Sequence, residues 1–409
     1  MIEAVRSPAF RRYLAGQLLS VTCSWIQVVA LSWVVVDRDP AALGWVVGLQ
    51  FAPSLLLGPW FGAVADRHDR KRIVMVCEAG LALIAVGYGV AVASDSPIPW
   101  IVVLSALWGV LNAMDTPARQ AMVPALVPAE GVGSASALSG SVLLLGMVIG
   151  SALGAALLAA AGPTVAFAVN AGSFVIDVAL LSTIRPHPLP QTGRAPRQLR
   201  DGLDYVLRTP RLRNPLVALG ILRTFAFTVP VSVPLLASEA FAGGSTLVGA
   251  AFTAVTVGGL AGAVVAAIRG APSQHSLTRA ATLMAASMVG TAIAPTIPVV
   301  LTGLTGIGFA WSLFVTSTVA TVQTAEPALL GRVMSWLAFV LIGGAAAGGP
   351  LVGALAALAG PRAPFLLGAA AAVAAGVVAA PKGRSLLGPG QGRGTGDDGG
   401  STASILART

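Results

Sequence analysis

Charge is what this chain has least of. Only 10% of its 409 residues are Asp, Glu, Lys or Arg, while 56% are hydrophobic and the mean hydropathy is +0.83. A soluble domain is typically about one quarter charged. The composition therefore excludes an ordinary water-facing surface and indicates an integral membrane protein. Cysteine is nearly absent: Cys23 and Cys77 both fall inside apolar stretches, which excludes a disulfide framework and a zinc site. Histidine is limited to His68, His187 and His275, all in polar connections. No Walker motif, metal-ligand cluster or nucleophile beside a base occurs, so ATP-driven pumping and enzyme chemistry have no residues to carry them. We expect no metal and no cofactor. The N-terminus shows no short apolar core followed by a cleavage site, so it reads as the lead-in to a retained first helix.

What remains is long apolar runs. Barrel strands would be about 9–11 residues long with alternating polarity. These runs are about 20 residues long and unbroken, as helical spans require. Twelve are predicted, at 13–36, 42–65, 73–94, 98–121, 134–161, 164–184, 214–238, 246–268, 278–295, 297–321, 332–359 and 363–380. An even number places both termini on one side. Putting them in the cytoplasm leaves only Arg38 and Arg362 outside and Arg223 within the membrane, so 22 of the 25 Arg and Lys lie inside. That asymmetry is the positive-inside pattern. It accounts for the formal charge of +9 without nucleic-acid binding.

The segment 185–213 is a Pro- and Arg-rich linker. Within it Leu203, Val206 and Leu207 share one helical face, as in a helix lying at the membrane surface. It separates a first half, 1–184, from a second, 214–380; a Gly-rich polar tail, 381–409, has a disordered composition. The halves repeat. "GSALGAALLAAAGPTVAF" (150–167) parallels "GPLVGALAALAGPRAPF" (349–365), bringing Gly150 over Gly349, Gly154 over Gly353 and one Gly-Pro pair over the other. "GAV" at 62–64 recurs at 262–264. Two six-span halves related by duplication form an architecture in which a central site opens alternately to either side.

One connection stands apart. "GAVADRHDRKR" (62–72) joins spans 2 and 3 and crowds six charges into seven positions. With Gly62, Asp66, Arg67, Arg70 and Lys71 in place, it resembles the signature loop of the major facilitator superfamily. "MDTPARQAMVPALVP", "RDGLDYVLRTPRLR" and "LGRVMSWLAFVLIGGAAAGGPLVGALAALAG" further resemble its enterobactin-exporter-like and drug-efflux branch. The resemblance implies an all-α fold of twelve transmembrane helices in two pseudo-symmetric six-helix bundles. It also implies a loop that latches one conformation, with Asp66 near Gly331 and Arg332 at the start of span 11. Arg67 and Arg70 can pair with carboxylates, Asp115 being a partner for Arg70, and Gly62 would serve a tight turn. Lys71 and Arg72 fit a topology signal. Asp66 does not, since an acid adds nothing to that signal, and after Gly262 the matching position is Ala266.

Ionisable groups at membrane depth are costly and therefore functional candidates. Arg223 lies about 15 Å into span 7, near the midplane, and suits an anionic substrate or a carboxylate partner. Asp177, about 20 Å from the outer end of span 6, is a candidate structural pair or proton site. Glu78, about 8 Å from the cytoplasm, would snorkel. Gln27, Gln50 and Asn112 are neutral candidates for orienting substrate. Gly150, Gly154, Gly349, Pro350 and Gly353 have the spacing of helix-packing residues. The span-5 motif of antiporters, Gly-Pro-x-x-Gly in the superfamily, has Ser151 in place of Pro here. The acid that relatives carry in span 1 is replaced by Ser24, before Trp25.

These features together describe a monomeric, multi-pass transporter of the bacterial cytoplasmic membrane, surrounded by lipid. The resemblance to the efflux branch implies that it exports an amphipathic small molecule, a drug or siderophore, coupled to protons. Uptake, facilitated diffusion and a non-transporting membrane component that binds a partner stay open as alternatives.

Overall fold

A computed structural model of the chain describes residues 6–185, 197–269, 275–326 and 329–380. Among them there is helix and no strand. Each predicted span has its helix. Spans 1 to 4 are Pro8–Arg38, Ala42–Arg67, Arg70–Ala93 and Ile98–Met122. Spans 5 and 6 run through Val132–Ser182, which turns sharply at Gly162. Span 7 is broken into Pro210–Ile221, a π-helical turn Leu222–Ala226, Val229–Leu235 and a second π-helical turn Leu236–Ala240. Spans 8 to 12 are Ser245–Arg269, Ser276–Ala292, Ile297–Val322, Leu330–Ala359 and Ala363–Ala379. Eight of these elements are long and apolar enough to cross a membrane, with Ala42–Gly58 and Ala363–Ala379 as shorter apolar helices. Leu83, Ile268, Leu358 and Val377 are exposed, as they must be where the surrounding solvent is hydrocarbon. The proposed tail, 381–409, and residues 186–196 of the linker lie outside the described residues.

The repeat appears in the backbone. Gly162 (φ 78°, ψ 174°) and Gly360 (φ 88°) are the glycines with positive φ, each is followed by proline, and they close spans 5 and 11. A side chain would be strained there. The proline then stands in the bend between the two helices, where it cannot continue the first one. The two arginines assigned to the far side of the membrane also act in parallel. Arg38 donates to the carbonyls of Val92 and Ser96 beyond span 3 and pairs with Asp95 at 2.8 Å. Arg362 donates to those of Ala292 and Ala294 beyond span 9. A cation at a helix C-terminus meets the unpaired carbonyls and the negative end of the dipole.

The linker helix, Arg197–Arg208, forms where amphipathicity predicts it. Its apolar residues do not share one outward face, however: Val206 is buried and Leu207 exposed. Gly202 lies against Arg332, where a β-carbon would stand 2.7 Å from that residue's own, so the helix clasps the base of span 11.

In the signature loop Asp69 caps span 3, accepting from the backbone N–H groups of Lys71 at 3.0 Å and Arg72 at 3.3 Å. Asp69→Ala is expected to cost about 1 kcal/mol, read as a lower denaturation midpoint of the purified protein. A stability equal to wild type would make the cap incidental.

Candidate functional site: a sealed face, a polar cavity and a buried ion cluster

Spans 1 and 12 begin and end on one face, here called the terminal face. Near the opposite face the two halves touch backbone to backbone. A β-carbon on Gly44 of span 2 would lie 2.6 Å from the Gly349 carbonyl oxygen and 3.1 Å from Gly353 Cα. Gly48 abuts Pro350. Nearby, Gly249 of span 8 meets Ala155 of span 5. Glycine is what allows helices to approach this closely. Gly349, Pro350 and Gly353 thus pack across the halves. Their counterparts Gly150 and Gly154 pack within one half, against Thr22, Trp25, Ile26 and Val29 of span 1.

Toward the terminal face the first half encloses a cavity of about 520 Å³ between spans 1, 3, 4, 5 and 6. Tyr13, Gln17, Trp25, Trp108 and Asn112 line it, together with Glu78, Asp115 and Arg119. The indole N–H of Trp108 is buried and has no hydrogen-bond partner. A volume of this size accommodates a drug-sized ligand.

The cavity's charged wall is a cluster. Arg119 Nε donates to Asp115 Oδ2 at 3.0 Å, one turn earlier on span 4. Its Nη2 is shared between Glu78 Oε1 of span 3 and Asp177 Oδ2 of span 6, the latter at 3.1 Å. The side chains are 11%, 8%, 3% and 0% exposed for Arg119, Asp115, Glu78 and Asp177. Three nearly buried carboxylates thus share one guanidinium. Glu78 Oε2, Asp115 Oδ1, Asp177 Oδ1 and Arg119 Nη1 have no partner. Close packing makes the arrangement tight: a β-carbon on Gly16 would fall 2.0 Å from Asp177 Oδ1.

Several expectations are corrected here. Arg119, counted among the cytoplasmic cations, is a buried ion at the centre of the cluster. Glu78 does not snorkel, because a cation on the neighbouring helix meets it. Asp115 pairs with Arg119 and not with Arg70, whose Nη1 instead donates to the Ala121 carbonyl at 3.3 Å near the end of span 4. Lys71 Nζ likewise donates to the carbonyls of Ser182 and Ile184, at the end of span 6. Gly62 is neither in a tight turn nor at a close approach: it lies within span 2, and a β-carbon there would meet nothing within 4 Å. Arg67 is exposed, and the Asp66 side chain lies outside the described residues. Gln27 is buried and accepts from Asn170 of span 6 at 2.8 Å. Gln50 is buried against Gly109 of span 4. Of the neutral candidates, Asn112 lines the cavity.

Arg223 sits elsewhere, in the first π-helical turn of span 7. Turns of this kind recur at functional sites. Its Nε donates to Leu341 of span 11 at 3.1 Å and its Nη1 to the Phe227 carbonyl. The guanidinium carbon is 5.8 Å from the ring centre of Phe51 on span 2 and 6.0 Å from that of Phe227. Phe227 stacks on Trp311 of span 10 at 4.2 Å. No ion pair holds Arg223 among the described residues. The result is an aromatic-walled cation at the seam between the halves.

The family described as transmembrane secretion effector matches residues 2–384 of the chain. Among curated proteins, the enterobactin exporter EntS of Citrobacter koseri is 29% identical over 87% of the chain and 86% of its own length. The staphyloferrin A transporter of Staphylococcus aureus is 25% identical over 62% of the chain, an alignment that spans 65% of that transporter. Among solved structures, the nucleoside transporter NupG superposes with a TM-score of 0.71 at 12% identity, covering 91% of this chain and 98% of that one. A bacterial homolog of the human lysosomal transporter Spinster, inward-facing and unoccupied, gives 0.64 at 15% identity, covering 91% and 95%.

Proposed function

The chain belongs to the transmembrane secretion effector family of the major facilitator superfamily, and from that premise we propose that it exports an amphipathic small molecule, a siderophore or drug, in exchange for protons. The observation that carries this reading is the pairing of a seal at Gly44–Gly349 with a largely apolar cavity of about 520 Å³, bearing one charged wall, toward the opposite face. With the termini in the cytoplasm, that cavity is the loading side. The halves 1–184 and 214–380 would rock against each other about the 185–213 linker, with Asp66 and its neighbours contributing to the opposite closure. The enterobactin exporter supports export as the direction, and it and the staphyloferrin A transporter support a siderophore-like cargo.

Arg223 supports an anionic group on the cargo, since it offers an unneutralised guanidinium between aromatic faces at the seam. A hydrogen bond to a charged group contributes about 1.5–3 kcal/mol, so Arg223→Gln is expected to weaken transport of an anionic compound by about 10- to 150-fold. Arg223→Lys should retain part of the activity. Equal rates in wild type and Arg223→Gln would remove the residue from the site.

The test of the whole reading has two stages. Comparing the compounds retained by a deletion strain identifies the cargo; flux of that compound in proteoliposomes across an imposed pH gradient tests coupling. Accumulation inside the deletion strain and gradient-driven export are expected. Movement indifferent to the gradient would sink proton coupling, and no movement of any retained compound would sink transport.

A further inference from the structure

The cluster around Arg119 holds more acid than its one cation can neutralise, and it forms a wall of the cavity. We propose that Glu78 is the group that takes up and releases the coupling proton, with Asp177 as the fixed counter-ion of Arg119. This assignment rests on the proton-coupled reading above and names the residue that reading needs.

The three acids are not equivalent. Asp177 is 0% exposed, does not line the cavity, and turns its free oxygen toward Gly16 of span 1, where even a methyl group would not fit. Its side chain has no exposed surface, so it is suited to a permanent charge. Asp115 lines the cavity, but its pair with Arg119 lies within one helix at a spacing of four residues. That contact stays whatever the neighbouring helices do. Glu78 alone among the three combines a place on the cavity wall with a position on a different helix from Arg119. It also shares a single nitrogen, Nη2, with Asp177, while Nη1 has no partner. Protonating Glu78 therefore removes one of two excess negative charges and releases one contact, leaving Arg119 held by both aspartates.

The groups facing Glu78 are Arg119 and Asp115 on span 4, Asp177 on span 6, Tyr13 and Ser20 on span 1, and Cys77 beside it on span 3. Span 5 presents the hydroxyls of Ser136 and Ser139 to the same cavity. Arg119 is the only cation in that set. The step is a proton transfer alone. With the cavity open to one face, an O–H bond forms on the Glu78 carboxylate as cavity water gives up a proton. With the cavity open to the other face, that bond breaks and water there receives the proton. The Glu78–Arg119 contact, which joins spans 3 and 4, is made when Glu78 is ionised and released when Glu78 is protonated, and that is what links the two states.

The assignment is tested without cargo. Infrared difference spectra between high and low pH are recorded on the full chain reconstituted in liposomes, for wild type, Glu78→Gln and Asp95→Asn. Wild type and Asp95→Asn, an exposed acid far from the cluster, should share a protonated-carboxyl band that grows at low pH; Glu78→Gln should lose it. Glu78→Gln should fold, because it lessens the charge imbalance, and gel filtration checks this. If it does not fold, Glu78→Asp keeps the acid in a changed position and should shift the band. A band unchanged in Glu78→Gln, or unshifted in Glu78→Asp, would overturn the assignment, as would a wild type in which no such band titrates. Indifference of cargo flux to a pH gradient would instead overturn the coupled reading while the infrared result stood, so the two failures are separable.

Discussion

Arg119→Met is expected to prevent the chain from reaching a stable fold, lowering stability by about 3–5 kcal/mol, because it strands buried charge. Glu78, Asp115 and Asp177 are 3%, 8% and 0% exposed, and Arg119 is the cation each of them touches. Methionine roughly fills the volume but offers nothing to the carboxylates, which would then repel one another where water cannot screen them. A loss of that size is a large fraction of the about 5–15 kcal/mol that holds a typical protein together. The measurement is the monodisperse fraction and the thermal midpoint of purified protein. Arg119→Lys should fall between wild type and methionine, since an ammonium cannot span three acids on three helices as a planar fork does. The decisive comparison is Arg119→Met with Asp177→Asn. If stranded charge is the cause, the second change restores part of the loss. If the double variant is worse than wild type by the sum of the two single losses, packing and not charge set the effect.

This cluster was the part of the site least legible in the sequence, and the reason is geometric. The sequence gives depth along each helix but not the direction in which a side chain leaves it. Glu78 lies eight residues into span 3, Asp177 five before the end of span 6, and Arg119 three before the end of span 4, all measured from the same face. Those depths, about 12, 8 and 5 Å from that face, were readable. Read singly, however, they did not point to one cluster: a snorkelling acid, an acid in a structural pair or a proton site, and a topology-setting cation. The spacing of four between Asp115 and Arg119 was the one local signal. Positions 162 and 360 were legible for the opposite reason, since a Gly-Pro pair dictates its own backbone. The signature loop was legible as a motif but not as contacts. Arg70 and Lys71 bond to the nearest exposed carbonyls at the ends of spans 4 and 6, a local solution available without any partner from the other half.

Gly44→Ala is expected to tilt the chain away from the sealed arrangement. The added methyl would sit 2.6 Å from the Gly349 carbonyl oxygen and 3.1 Å from Gly353 Cα, and both neighbours are backbone. A flexible side chain could swing aside; two helix backbones can only separate. Overpacking of this kind costs roughly 1–3 kcal/mol, and the whole cost falls on the state in which spans 2 and 11 touch. If the seal and its opening differ by only a few kcal/mol, the ratio of the two shifts by about 5- to 150-fold. Ser94 and Thr296 lie in connections on the sealed side, one in each half, and both are exposed. Spin labels on cysteines placed there should report a longer distance whose population grows in Gly44→Ala. Transport should fall, because a cycle needs the seal to re-form. Gly172→Ala is the control, since a β-carbon there meets nothing within 4 Å; it should leave both readouts unchanged. A folded Gly44→Ala protein with wild-type distances would show that spans 2 and 11 absorb the methyl without parting. The Gly44–Gly349 contact would then be ordinary packing and not the element that opens.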